Sequence, residues 1–461
     1  MEEFWKSLGY MPVILWSDAI VFVAAVLLGA WFYSASKRAY WIQAFKQIAT
    51  NRLAMWCLGV MSIYATVGFI DTLHFKKYND TTKNFERMTS VLDVLGRHFT
   101  ENVEKTYSTP FATHAFTKET LAGPTGAQIR MQPELKFGGQ HLRVDGKLPE
   151  GDALDSAKHT DIAVRIFKGV VIGLVLGALA FGALTVAARG LNKPGPWVRD
   201  TAIFVTAAAC VISAAFVLSG GYHVLGTDQT GNDVFWQSVK GTRTGMILGS
   251  LTTLIVTPFA ILFGVLAGYF GGWIDDIITY VYSTLSSIPD ILLIAAAMLI
   301  VQSRFDGDET VVAADKKLVM LCIIMGITSW TGLCRMIRAE TLKLRQSEFV
   351  QAADAFGIGH WTVMYRHLVP NVTHLVIISV ATRFSSMILT ESVLAYIGIG
   401  VDESLMSWGT QIEGARMELA RDPVVWWNLI SAFIFSVGLV LPANLFGDAV
   451  RDALDPKLRT V

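Results

Sequence analysis

The sequence predicts an all-α polytopic membrane protein of about nine transmembrane helices, with a small extracytoplasmic domain inserted in its N-terminal half. Three observations carry that prediction. Hydrophobic residues make up 52% of the 461 and charged residues only 16%, for a mean hydropathy of +0.46. Apolar runs of bilayer-spanning length recur along the chain, and a single long polar stretch, 74–161, interrupts them. Formal net charge is zero, which gives no electrostatic case for nucleic acid. Cys57, Cys210, Cys322 and Cys334 sit in apolar spans, too scattered for a metal site or a disulfide framework. No Gly-x-x-x-x-Gly-Lys-Ser/Thr loop occurs, so no nucleotide-binding P-loop is expected in this chain.

Residues 12–33 form the first expected span, with Glu2 and Glu3 before it and Lys37 and Arg38 after it. That asymmetry puts the N-terminus outside and the 34–52 loop inside. Asp18 lies near the outer end of this span, where a helix-end aspartate reaching the interface is the main reading and a path-lining group the other. Residues 53–73 carry the chain out again. In the polar stretch, Phe85, Met88, Leu92, Leu95, Phe99 and Val103 recur at helical spacing and predict an amphipathic helix over 85–105. Ile129-Arg-Met and Leu142–Leu148 read as short strands, the second turning at Asp145-Gly146. Five histidines (His74, His98, His114, His141, His159) match no metal spacing and read as solvated surface groups. Spans at 163–187 and 201–219 follow, separated by Arg189, Lys193 and Arg199 on the inside. Gly169, Gly173 and Gly177 recur every four residues, which lines small side chains on one helix face for close packing.

Beyond residue 220 the expected spans are 245–270, one starting at Asp275-Asp276 and interrupted by Pro289, 317–334, 372–398 and 424–447. Gly264, Gly268 and Gly272 repeat the small-residue spacing. Asp228, Gly231 and Asp233 read as a turn rich in side-chain-to-backbone bonds, or as direct solute contacts. Arg383 and Glu391 lie at membrane depth on roughly one face and read either as a pathway wall or as structural polar groups. Ser407-Trp-Gly409 opens an interfacial helix over 410–420, ended by Asp422-Pro423. Residues 348–370 read as two short helices joined by Gly357, with Val350, Ala353 and Phe356 at helical spacing and a second stretch, Trp361 to Val369, stopping against Pro370. Arg335, Arg338, Lys343 and Arg345 place this loop inside. On physics alone it is equally an ordinary connector. No catalytic constellation is expected anywhere in the chain.

Gln351-Ala352-Ala353, Gly357 six places on, and Leu368-Val369-Pro370-Asn371 resemble the coupling-loop (EAA) motif of ABC importer permeases. His223-Val-Leu-Gly-Thr-Asp228-Gln-Thr-Gly231-Asn-Asp233 resembles the periplasmic signature of dipeptide and oligopeptide permeases, with Val224 and Asn232 replacing the usual Pro and Arg. The run from Asn444 through Asp448 and Arg451 to Pro456 resembles the end of their C-type subunit. The resemblance covers about half the chain and implies a type I ABC importer transmembrane fold. It implies ATP-driven import of di- or oligopeptides, or a related solute, across a bacterial inner membrane. Gln351, Ala352, Ala353, Gly357 and Pro370 would then couple to an ATPase, through shape more than charge because Gln351 stands where the family has Glu.

The implied partners are a second, homologous permease, two ABC ATPase subunits carrying ATP and Mg, and an extracytoplasmic solute-binding protein; this chain itself would bind no cofactor. The implied layout is two N-terminal spans (1–73), the extracytoplasmic domain (74–161), two further spans (162–220) and the permease core (221–461), with the C-terminus cytoplasmic. The family's first span corresponds either to 53–73 or to 201–219. Two other classes stand beside this reading. An ion-coupled secondary transporter would use Asp18, Arg383 or Glu391 as a relay, which leaves the loop motif without a purpose. A membrane-anchored sensor would use 74–161, but no recognisable output domain follows the last span.

Overall fold

The computed structural model describes residues 9–35, 39–79, 84–85, 88–122, 128–143, 148–149, 151–190, 196–305, 310–402 and 404–454. The expectations placed on Glu2, Glu3, Lys37, Arg38, Asp145, Gly146, Lys193 and Pro456 fall outside them.

Strand β1 (Tyr10–Val13) precedes helices α1 (Trp16–Ala35), α2 (Ala39–Thr50) and α3 (Arg52–Asp71). The polar stretch holds β2 (His74–Asn79), β3 (Asn84–Phe85), β4 (Thr89–Ser90), α4 (Val91–Leu95), α5 (Arg97–Glu101), β5 (Glu119–Ala122) and β6 (Gln128–Met131). Helices then follow in sequence: α6 (Asp152–Gly190), α7 (Pro196–Ser219), α8 (Val234–Phe270), α9 (Gly272–Ser286), α10 (Asp290–Arg304), α11 (Val311–Thr328) and α12 (Thr331–Arg345). The last part comprises α13 (Glu348–Ala355), α14 (His360–Val363), a π-helical turn (Met364–Leu368), α15 (Val369–Tyr396), α16 (Trp408–Glu418) and α17 (Trp427–Leu454).

Among the described residues, six helical stretches are long and apolar enough to cross a bilayer: Arg52–Asp71, Asp152–Ala183, Arg199–Ser219, Val234–Phe270, His360–Tyr396 and Trp427–Leu454. Helices α9 and α10 make a seventh if they count as one span, bent by 82°. The protein is therefore a mostly helical, multi-pass membrane protein. Pro289 sits at that bend, and what the sequence suggests as a kink is a full break, because proline lacks an N–H and biases the residue before it away from helix. Two further stretches expected to span, 12–33 and 317–334, are also helical: α1 covers most of the first, and α11, which covers part of the second, carries Asp315, Lys316 and Lys317 near its start.

The chain forms two compact units. The first comprises Met1–Val13, Ser62–Thr242 and Met406–Ser436. Here β1 pairs antiparallel with β2, Val13 opposite His74, so the run expected to open the first span begins as a strand. Pro12 is tolerated because β1 lies at the sheet edge. Strands β5 and β6 pair as a hairpin, matching the strand expected at Ile129-Arg-Met. Leu142 instead ends a 3₁₀ turn, Gln140–Leu142.

The amphipathic helix expected over 85–105 is not continuous. Phe85 pairs with Tyr78 in the sheet, and helix starts only at Val91, where Ser90 and Asp93 form a reciprocal capping box. It stops at Gly96, where a Cβ would lie 1.9 Å from the Trp236 ring. Leu92 and Phe99 keep their expected apolar role, buried with Trp236. Helices α6 and α7 meet along the predicted glycine face: a Cβ at Gly169 or Gly173 would fall 2.4 or 2.3 Å from the backbone of Ala214 or Cys210. Helix α16 forms where a helix is expected over 410–420, with one face buried through Trp408, Gln411, Ala415 and Glu418.

The second unit comprises Ile14–Met61, Arg243–Leu405 and Val437–Val461. One apolar cluster joins Val256, Ala260 and Val265 of α8 to Ile337 of α12, Val350 of α13 and Leu368. Another joins Ile294 and Met298 of α10 to Leu318, Leu321 and Met325 of α11. Gly264 and Gly268 admit α12 closely, since a Cβ would lie 2.8 Å from Ile337 or 2.6 Å from Thr341; Gly272 meets nothing within 4 Å and instead opens α9. Asp18 does not reach an interface. It is fully buried and accepts a 2.6 Å hydrogen bond from Arg243, beside a Ser17–Asp315 contact.

Candidate functional site

Helix α13 is only eight residues long, too short to stand alone. Its inner side chains Val350 and Ala353 are buried in the α8–α12 cluster and hold it in place. The helix ends in a Schellman motif: Ile358 N–H donates to Ala353 at 3.1 Å and Gly357 N–H to Asp354 at 3.0 Å. Gly357 takes φ +72, the left-handed conformation expected there, and open space surrounds its Cβ position. Phe356 departs from expectation. As the C-cap residue it leaves the helical face shared by Val350 and Ala353, and it is 86% exposed.

The second arm also differs. Helix α14 does not stop at Pro370 but passes through the π-helical turn into α15. Val369 N–H reaches Met364 O, one residue further back than an α-helix would. The bulge places Pro370 in the first turn of α15, where its missing N–H costs little. Val363, Met364 and Leu368 point into the cluster, while Trp361 and Tyr365 are 68% and 80% exposed. Gln351, Ala352 and Pro370 are exposed as well. Gln351 makes one weak contact, Nε2 to Gln346 O at 3.2 Å. The loop is thus a knob: apolar inside, with the rings of Phe349, Phe356, Trp361 and Tyr365 and the small Ala352 outside. Among the flanking bases, Arg338 forms a forked pair with Asp275, its Nη2 donating to Oδ2 at 2.6 Å.

The turn at 228–233 is built differently. Asp228 Oδ1 accepts from the N–H groups of Thr230 and Asn232 at 2.8 and 2.9 Å, and its other oxygen from Gln237. Gly231 takes φ +81, and a Cβ there would lie 1.9 Å from Glu104 O. Asp233 Oδ1 caps α8 through Trp236 N–H at 3.0 Å, and Oδ2 accepts from His223 Nδ1 at 2.8 Å. These oxygens are committed to donors within the protein, the bonding pattern of a structural turn.

Sequence reasoning missed the centre of that arrangement. His223 is buried between Asp233 and Glu104, its Nε2 3.5 Å from Glu104 Oε1. Burial alone would lower its pKa, but the hydrogen bond to Asp233 and the adjacent Glu104 carboxylate outweigh burial and hold it up at about 9. Glu104 goes the other way: burial would raise it, yet His223 and the N–H groups of Gly138, Phe137 and Lys136 hold it down at about 2. Glu104 and His223 belong to distant stretches of sequence, so no spacing signals the pair.

Arg383 and Glu391 both lie on α15. Arg383 Nη1 donates to Ser329 O at 2.7 Å, just past the end of α11. Glu391 is 2% exposed. The five histidines of the polar stretch are not all free surface groups: His98 Nε2 meets Ser219 O at 2.7 Å and His141 pairs with Asp161 at 2.6 Å. Cys57, Cys322 and Cys334 are buried and Cys210 partly so, each a free thiol, as packing residues would be.

Residues 260–460, which contain the knob, match the profile described as binding-protein-dependent transport system inner membrane component. The chain is 32% identical over 239 residues to the glutathione transport system permease protein of Pectobacterium atrosepticum, covering 52% of this chain and 74% of that one. It is 34% identical over 242 residues to an oligopeptide transport system permease protein of Mycobacterium bovis, covering 52% and 78%. A dipeptide transport system permease protein of Bacillus subtilis is 29% identical over 237 residues, covering 51% and 69%.

Proposed function

Since the chain belongs to the family of binding-protein-dependent transport system inner membrane components, we propose that it forms one permease half of an ATP-driven importer. It catalyses no chemistry of its own; it is a transport subunit, as its relatives are. Its solute is a di- or oligopeptide or a related compound, the class that the relatives' names specify. The assembly comprises a second homologous permease, two ATPase subunits that carry ATP and Mg, and an extracytoplasmic solute-binding protein.

The observation that carries this reading is the knob at 348–370. Its inner face is fixed to α8 and α12, and its outer face leaves Phe356, Trp361 and Tyr365 uncovered beside Ala352. Exposed aromatics on a short, rigid element suit insertion into a cleft of a partner. ATP-bound closure of the partner ATPases would pull on α13 and shift the spans between two arrangements. In this reading α1 and α11 join the other spans to make nine, with the N-terminus outside and the C-terminus and knob in the cytoplasm. Residues 74–161 form the extracytoplasmic domain, between two N-terminal spans (1–73) and two further spans (162–220), and the core occupies 221–461.

A mild-detergent pull-down of the full chain tests the proposal. Co-recovery of a second multispanning permease and an ATPase is expected, with the ATPase lost when 348–370 is replaced by a flexible linker. ATPase recovery that survives that replacement would remove the knob from the docking surface.

A further inference from the structure

We infer that Tyr269 is a positioning residue for the knob, holding both arms of the Gly357 bend to the end of α8 through its single hydroxyl. Tyr269 is the second-last residue of α8 and is 5% exposed. Its hydroxyl lies 2.9 Å from Asp354 Oδ1 and 2.9 Å from His360 Nδ1. Asp354 stands in the last turn of α13, and His360 opens α14. One buried atom therefore touches the helix before the bend and the helix after it.

The donor pattern is fixed by chemistry. An ionised aspartate only accepts, so the Tyr269 O–H donates to Asp354, and its oxygen accepts from His360 Nδ1–H. The imidazole also lies edge-on to the rings of Tyr269 and Phe270, each 5.7 Å away. At its apex the bend is closed by its own backbone bonds, from Ile358 N–H to Ala353 O and from Gly357 N–H to Asp354 O, which tie it to α13 and not to α8, and the Gly357 Cβ position meets nothing within 4 Å. Val350, Ala353 and Val363 supply attraction to the cluster, but apolar contact is non-directional and lets an eight-residue helix slide or roll. The hydroxyl supplies the direction. A push on α13 then reaches α8 instead of being absorbed in the loop.

The inference deepens the reading of the knob as an ATPase-docking element and rests on it for its functional meaning. Its test begins with the loop itself. Spin labels at Ala352→Cys on α13 and Leu262→Cys on α8, both exposed positions, report the distance between them; Cys210→Ser removes the one native thiol that is not fully buried. The unaltered hydroxyl should give one narrow distance peak. Tyr269→Phe, which keeps the ring in the core, should lose the narrow peak, and Asp354→Ala should do the same. Asp354→Asn keeps an acceptor and should restore it. Adding Asp354→Ala to Tyr269→Phe should change nothing further, since loss of the hydroxyl already cuts the link to Asp354.

The second readout is the assembled complex, in which Tyr269→Phe should retain the ATPase but lose any ATP-dependent change in distance between labels on α8 and α15. A narrow peak in Tyr269→Phe overturns the inference and leaves the docking reading intact. Failure of the unaltered chain to bind any ATPase overturns the docking reading, while the loop distances still decide whether Tyr269 holds the bend.

Discussion

The turn at 228–233 and the knob at 348–370 are both short, both bent at a left-handed glycine and both next to a long helix, yet they dispose of their side chains in opposite ways. In the turn, the oxygens of Asp228 and Asp233 are filled by donors from the protein itself, and His223 is locked between two acids. In the knob, the Tyr269 hydroxyl bonds both arms from within, and the large rings of Phe356, Trp361 and Tyr365 face out. A segment that satisfies itself is built to keep its shape. A segment with uncovered rings on a fixed base is built to meet something else.

The two glycines give the sharpest way to break this contrast, with the largest expected effect. Gly231→Val would press a side chain into Glu104 O, 1.9 Å from the Cβ position, and the backbone cannot yield cheaply. We expect a loss of about 4 kcal/mol or more, seen as collapsed yield or a much lower unfolding midpoint. Gly357→Val has the same unfavourable φ but empty space around it. Its cost of about 1–2 kcal/mol should stay within the loop. The protein should unfold at nearly the unaltered temperature, while ATPase recovery falls by about tenfold for each 1.4 kcal/mol of lost docking. Equal thermal losses from the two variants would erase the distinction between a packed turn and a free bend.

The next effect is on pH dependence and belongs to the turn alone. His223 is raised to about 9, so its stabilisation is complete below its ordinary 6.5 and is lost as pH rises through 9. Glu104 is depressed to about 2, so its stabilisation is present above 4.5 and is lost as pH falls through 2. The unfolding midpoint should therefore be flat from about pH 4.5 to 6.5 and decline on the alkaline side first. His223→Gln leaves Glu104 and Asp233 buried without their cation, a loss of about 3–5 kcal/mol at neutral pH. It should also remove the alkaline limb, since the group that titrates there is gone. An alkaline limb that survives in His223→Gln would assign that limb to another group.

What the sequence makes legible follows the same division. Features decided within a few residues can be read: the Gly357 bend, the Gly169–Gly173–Gly177 face, and the Asp228 turn each depend on local backbone or helical spacing. Features decided by distant stretches cannot. His223 gains its partner Glu104, and Asp18 its partner Arg243, only through folding. Phe356 shows a subtler limit. Its spacing from Val350 and Ala353 is helical, but the helix ends one residue earlier, so the period no longer says which way the ring points. Likewise, Pro370 forecasts a stop that the π-helical turn at Met364–Leu368 makes unnecessary.

The smallest expected effect tests whether the knob acts by shape. Gln351 departs from the family's glutamate, and its amide reaches only Gln346 O at 3.2 Å on an exposed surface. Gln351→Glu would restore the carboxylate near the start of α13, where the helix dipole mildly favours negative charge. Nothing buried changes, so stability should move by less than about 0.5 kcal/mol. If docking rests on the exposed rings and the close approach allowed by Ala352, ATPase affinity should also change by no more than about twofold, the binding equivalent of that energy. A large gain in affinity on restoring the carboxylate would instead mean that the partner keeps a cationic contact for this position. Charge, and not shape alone, would then set the grip of the knob.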